Sequence, residues 1–390
     1  MEPASSHDSL STTPTATSAP RRQGWNTFGN WLYALALTAG AGLAFRHYGE
    51  AMDGYDTAIL ILHIPILIAI GWAWRPFRPF VAAVAALALA SIWLYQGDLA
   101  RAGNIFFLKY LISSQTAISW MSACFFIATG AYWLGLIVKS DFAARTGSVL
   151  TWCASVMGAT GLFARWYESY LVGPDIGHIP ISNMYEVFVL FSLMTALLYL
   201  FYEGRYGTRK LGAFVLPVVS VAVAFMLWYA FTRGAYQIQP LVPALQSYWM
   251  KIHVPANFVG YGGFSLAAMA GVAYLLVSNG TLTERLPAPQ ILEDVMYKAI
   301  SIGFAFFTIA TILGALWAAE AWGGYWSWDP KEVAALVVWL NYAAWLHMRL
   351  TRRLRGAILA WWALSGLLVT TFAFLGVNWL LSGKHSYGAL

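Results

Sequence analysis

The chain has 390 residues, 59% of them hydrophobic and only 10% charged, where a soluble domain carries roughly 25% charged residues. So few charges cannot cover a water-exposed surface, which excludes soluble enzyme folds and disordered classes. The formal charge of +6 is the excess that basic cytoplasmic loops give a membrane protein, so nucleic acid is not an expected partner.

Residues 1–24 are rich in Ser, Thr, Pro and Ala and are expected to form a disordered cytoplasmic tail. Arg21 and Arg22 precede the first apolar run. With no small-residue cleavage site after that run, it reads as an uncleaved signal anchor. Eleven apolar spans follow, near residues 26–45, 56–74, 80–96, 116–138, 146–165, 184–202, 211–231, 255–278, 297–319, 332–348 and 357–381. They predict an all-α, polytopic helical bundle. Between the third and fourth spans, the apolar patch from Ile105 to Ile112 is expected along the membrane interface. If the N-terminus is cytoplasmic, 15 of the 23 Lys and Arg fall on the cytoplasmic side, most clearly in the stretch 351–355. That bias predicts an N-in, C-out orientation. Cys124 and Cys153 lie inside apolar runs and form no CxxC pair, so any thiol chemistry belongs to a partner or substrate.

On this topology the outer face collects three unusual segments, joining spans seven to eight, spans nine to ten, and the last span to the C-terminus. The middle one reads Trp322-Gly323-Gly324-Tyr325-Trp326-Ser327-Trp328-Asp329-Pro330-Lys331-Glu332. Single Trp residues gather at any membrane interface. Three Trp and a Tyr within seven residues, interrupted by two Gly, instead suggest a platform for a large flat ligand. Asp329, Pro330 and Glu332 carry the signature of a helix N-cap, a first-position proline and a capping box.

Seven histidines are present: His7, His47, His63, His178, His253, His347 and His385. His253 opens span eight and His385 follows the last span, so both fall on the outer face. Two neutral imidazoles beside an aromatic platform are what a six-coordinate haem iron requires. His347 lies 18 helical residues beyond Asp329, about 27 Å at 1.5 Å per residue and nearly the hydrocarbon thickness. It is therefore either an interface residue at the cytoplasmic end or a ligand in a second site whose other axial group a second subunit supplies. Arg233, Lys251 and Lys331 are candidate partners for an anionic ligand. Glu186, in the outer half of span six, is expected to face the bundle.

At these residues the sequence resembles the cytochrome c assembly family, specifically its CcsA/ResC branch. The stretch 322–332 resembles that family's tryptophan-rich signature. Residues 177–186, 241–254, 345–349 and 376–388 match its pattern in the same order. The resemblance covers roughly residues 141–390, implying a haem-handling core there and leaving 25–140 as transmembrane helices of unassigned role. It implies haem b as both bound group and transported substrate, with His253 and His385 as outer axial ligands and His347 as the transmembrane ligand. Trp322, Trp326 and Trp328, with Gly323, Gly324 and Asp329, would form the haem-facing loop. The implied function is delivery of haem for thioether attachment to the CxxCH motif of apocytochrome c. The implied partners are a ResB/CcsB-like membrane subunit, the apocytochrome and a thiol reductant, at the outer side of the bacterial cytoplasmic membrane. The alternatives are a haem-chaperone subunit of the multi-component maturation system, a permease, and a membrane cytochrome.

Overall fold

The computed structural model describes residues 28–50, 52–173 and 175–384, so the predicted tail and His385 lie outside the described residues. Eleven helices among them are long and apolar enough to cross a membrane, and the chain is a polytopic membrane protein. In chain order they are α1 (Phe28–Tyr48), α2 (Gly54–Ala73), α3 (Phe77–Tyr95), α4 (Ser114–Val138), α5 (Asp141–Val172), α6 (Met184–Tyr206), α7 (Gly212–Arg233), α8 (Tyr248–Ser278), α9 (Pro289–Trp322), α10 (Pro330–Thr351) and α11 (Ala357–Leu380).

The chain divides into two compact units, residues 1–78 and 79–390. The first is the pair α1 and α2. Trp72 Nε1 donates to the Asn30 carbonyl at 3.0 Å, and Arg78 donates to the Gly71 carbonyl at 2.7 Å and to the Asn30 side chain. These bonds tie the start of α1 to the end of α2, and the one to Gly71 satisfies a carbonyl in the last turn of α2 that lipid cannot.

In the second unit, α8 and α9 pack as a close antiparallel pair, because small residues line their seam. A Cβ on Gly263 would lie 2.8 Å from the Ala299 carbonyl oxygen, so only glycine permits this separation. The segment Ile105–Ile112 contains a π-helical turn, Leu108–Ile112. Leu108 and Ile112 are buried against Tyr95, while Phe106, Phe107 and Tyr110 remain exposed.

Three buried carboxylates lock α5 and α6 to their surroundings. Glu168 accepts from the Tyr95 hydroxyl at 2.5 Å and from Ser114. Glu203 accepts from Tyr132, Tyr199 and Ser148 at 2.7, 2.6 and 2.5 Å. Glu186 faces the bundle as expected, and its partner is Arg165, at 2.7 Å with both side chains 2% exposed. The Arg165 guanidinium also donates to the carbonyls of Tyr236 and Gln237 at 2.7 and 3.3 Å. The connection between α7 and α8 is thereby pinned to α5 and α6, just ahead of the helix that carries His253.

Candidate functional site

The end of the second unit that carries the Trp loop is built by the start of α8, the end of α9, the start of α10 and the end of α11. His253 sits in the first turns of α8, beside Pro255. Its Nδ1 lies 2.7 Å from the Ala310 carbonyl on α9. A carbonyl only accepts, so Nδ1 carries the proton and the imidazole lone pair is on Nε2, the tautomer of a metal-ligating histidine with its outer-shell bond in place. Trp317 meets the ring edge-on at 5.6 Å. A Cβ on Gly314 would lie 2.9 Å from His253 Cε1, so the absence of a side chain at 314 makes room for the ring. Trp317 Nε1 also donates to the Ala244 carbonyl at 2.9 Å, tying the α7 to α8 connection to α9.

α9 ends at Trp322 because Gly323 adopts the left-handed conformation, φ 77°, with its N–H on the Ala319 carbonyl at 3.0 Å. α10 begins with the capping box expected from the sequence. Asp329 Oδ1 accepts from Lys331 N at 3.0 Å, and Glu332 Oε2 accepts from Asp329 N at 3.1 Å and from Ser327 N at 2.7 Å. Between the two caps, Trp328 has φ 60°, a costly conformation for a bulky residue that persists only where its surroundings impose it.

A cavity opens beneath this loop, with about 830 Å³ of empty space that includes the open solvent at its mouth. His253, Trp317, Trp322, Tyr325, Trp326 and Lys331 are among its lining residues. Of the three tryptophans singled out in the sequence, Trp322 and Trp326 face this space. Trp328 is 70% exposed and packs edge-on against Trp326 at 5.9 Å. Gly323 and Gly324 are exposed in the loop.

The other candidates separate from this group. His347 is exposed near the far end of α10, its Nδ1 3.4 Å from Thr351 Oγ1. His178 is buried and bonded to Ile176 and Ser182, and His63 is bonded to Ile59 within its own helix. Lys251 lies over the Tyr248 ring at 5.0 Å, and Arg233 is exposed at the end of α7. Lys331 Nζ lies 2.6 Å from Asn378 Oδ1 on α11. Gly314 and Trp317 were not singled out in the sequence, although their spacing of three places both on one helix face beside an aromatic loop. Arg165 carried a plainer signal, an ionisable residue inside an apolar run.

A family model described as cytochrome C assembly protein matches residues 181–385. Similar curated proteins are named cytochrome c biogenesis protein CcsA. The one from Guillardia theta is 34% identical over 287 residues, covering 67% of this chain and 91% of the relative. That from Chlorella vulgaris is 34% identical over 311 residues, covering 69% and 95%. Among solved structures, cytochrome c heme lyase CcmF aligns with a TM-score of 0.52 at 20% identity, covering 68% of this chain and 49% of that chain. That similarity supports the fold.

Proposed function

Since the chain belongs to the cytochrome c assembly protein family as a CcsA-type cytochrome c biogenesis protein, we propose that it presents haem b at the Trp-loop end of the second unit. There the haem becomes attached to the CxxCH cysteines of apocytochrome c. The observation that carries this proposal is the His253 imidazole, held in its ligating tautomer by Ala310 and lining a cavity shared with Trp322 and Trp326. His385 is the second axial ligand, and residues 141–390 form the haem-handling core.

The chain supplies position rather than acid-base chemistry. His253 and His385 exclude other ligands from the iron, and Trp322 and Trp326 orient the macrocycle so that its vinyl edge meets the incoming thiols. Each thioether forms when a cysteine sulfur bonds one vinyl carbon and the thiol proton ends on the other, with no net oxidation. The thiols come from the apocytochrome, kept reduced by a separate thiol-reducing partner.

His347 serves a second position, where haem is held on its way outward. Exposed residues on α10 recur as Val333, Val337, Leu340, Ala344 and His347, the alternating four and three spacing of a helix-packing seam. A transmembrane helix of a ResB/CcsB-like subunit fits this seam and brings the other axial ligand to His347. The Trp loop then faces the extracytoplasmic side, with the N-terminus inside.

Co-expression with the membrane partner and an apocytochrome, in a host lacking its own assembly system, tests the function. Covalently bound haem is read by peroxidase stain after denaturing electrophoresis. Wild type is expected to yield haem-labelled cytochrome, and His385→Ala to lower the yield by roughly 100-fold, the scale of a lost positioning interaction. Unchanged yield in His385→Ala and His347→Ala together would point to a permease.

Gly314→Val probes the seat of His253 without removing a ligand. The added side chain displaces the ring, and overpacking of this kind costs about 1–3 kcal/mol. Haem content per mole of purified chain is expected to drop severalfold while the helical circular dichroism signal is retained. Wild-type haem content would disprove the seat.

A further inference from the structure

The last described residues run against the start of α10. Asp329 is 7% exposed, and its two oxygens hold different segments. Oδ1 closes the helix cap on Lys331 N at 3.0 Å, while Oδ2 accepts from the backbone N–H of Lys384 at 2.6 Å. A Cβ on Gly383 would lie 2.3 Å from that same Oδ2 and 3.0 Å from Asp329 Cγ, so only glycine lets the C-terminal backbone come this near. A second tie runs alongside. Lys331 Nζ donates to Asn378 Oδ1 at 2.6 Å and reaches the Phe374 carbonyl at 3.4 Å. Phe374 lies in the π-helical stretch Phe372–Gly376 of α11, a distortion that frees carbonyls and is frequent at functional sites.

Capping alone accounts for only one oxygen of Asp329, since Ser, Thr or Asn caps a helix as well. The second oxygen and the glycine opposite it are accounted for by the C-terminal segment. We propose that Asp329 is a positioning residue, which with Gly383 clamps the backbone of residues 383 and 384 to the Trp loop and thereby sets where the next residue, His385, is delivered. This rests on His385 being an iron ligand. A histidine on an untethered tail would spend most of its time away from the iron, whereas anchoring the peptide beside it raises its effective concentration at the site.

Two variants reach the contact from opposite sides. Asp329→Asn has one acceptor oxygen for two donors, so cap and tether compete. Gly383→Ala leaves Asp329 and the cap chemically intact and pushes the backbone away. Both are made in the full chain purified with its co-expressed membrane partner, with elution profile and helical circular dichroism confirming the fold. Tryptic cleavage after Lys384, followed by intact mass, reports the tether without reference to haem, because slow cleavage tracks the population of the open segment. Both variants are expected to cleave at least about fivefold faster than wild type. Their reduced haem spectra are expected to weaken to the level of His385→Ala and to recover with free imidazole.

Wild-type cleavage rates in both variants would overturn the clamp. Faster cleavage with an unchanged haem spectrum would overturn positioning, leaving a structural tie only. If His385→Ala itself has a wild-type spectrum, the ligand assignment fails and the positioning role falls with it, whatever the cleavage rates show.

Discussion

Arg165→Ala is expected to lower the free energy of unfolding by about 3–5 kcal/mol, the usual cost of removing one partner from a buried ion pair. Arg165 is 1% exposed, and its guanidinium meets Glu186 at 2.7 Å, two backbone carbonyls and the face of Tyr185 at 5.3 Å. Truncation leaves the Glu186 carboxylate, 1% exposed, with only the Ser182 amide and hydroxyl at 2.8 Å. It also removes the guanidinium donor from the carbonyls of Tyr236 and Gln237. Arg165→Lys restores a charge without the planar fork that serves a carboxylate and two carbonyls together, so it is expected to recover only part of the loss. The double change Arg165→Met with Glu186→Leu is expected to be much milder than Arg165→Ala, because no buried charge remains. Denaturant unfolding in detergent checks all three. A loss below about 1 kcal/mol for Arg165→Ala would show that the pair does not hold the α7 to α8 connection, since breaking a stabilising buried pair costs several times more.

His253→Ala is expected to have the largest effect on haem. The ring fills the space left by Gly314, and its Nδ1–H is held by Ala310. A flexible or differently bonded histidine would need to reorganise before ligating, whereas this one is fixed beforehand. On the proposed assignment, losing it would remove one of two axial ligands and widen the cavity beside Trp317 and Trp322. Haem recovered with the purified chain and its partner is expected to drop by at least tenfold, or about 1.4 kcal/mol in binding. Free imidazole is small enough to occupy the vacated space and is expected to restore much of it. His253→Ala with undiminished haem would remove His253 from the site.

The number and order of the membrane helices were legible in the sequence, because twenty apolar residues in a row have one solution in a bilayer. Their ends were not. The span expected at 297–319 belongs to a helix running from Pro289 to Trp322, and 146–165 to one running from Asp141 to Val172. Hydropathy fades at Glu293, Asp294 and Lys298, but helical backbone bonding continues past them into polar surroundings. At 34 residues α9 is about 51 Å long, well beyond a ~30 Å hydrocarbon core. Arg165, at the edge of an expected span, was visible as an ionisable residue, but its partner Glu186 is 21 residues away across a loop, and that pairing was not.

The candidate site shows the same division. The cap at Asp329 was readable because capping is local, and the loop Trp322–Trp328 because its composition is extreme. The pairing of His253 with Gly314 depends on the register of α8 against α9, which spacing along one helix does not contain. The separation of Trp328 from the cavity follows from its left-handed backbone, φ 60°, which no periodicity signals. Lys331 was weighed as a partner for an anionic ligand, and it lies in the cavity lining with Asn378 already on its ammonium group.

The most direct measurement is the absorption spectrum of the purified chain with its co-expressed membrane partner, oxidised and then reduced. A low-spin, six-coordinate haem spectrum is expected, weakened by His253→Ala or His385→Ala and restored in each by free imidazole. A chain that carries no haem in any preparation, or whose haem spectrum neither substitution changes, would contradict the assignment of the Trp-loop end as the haem site.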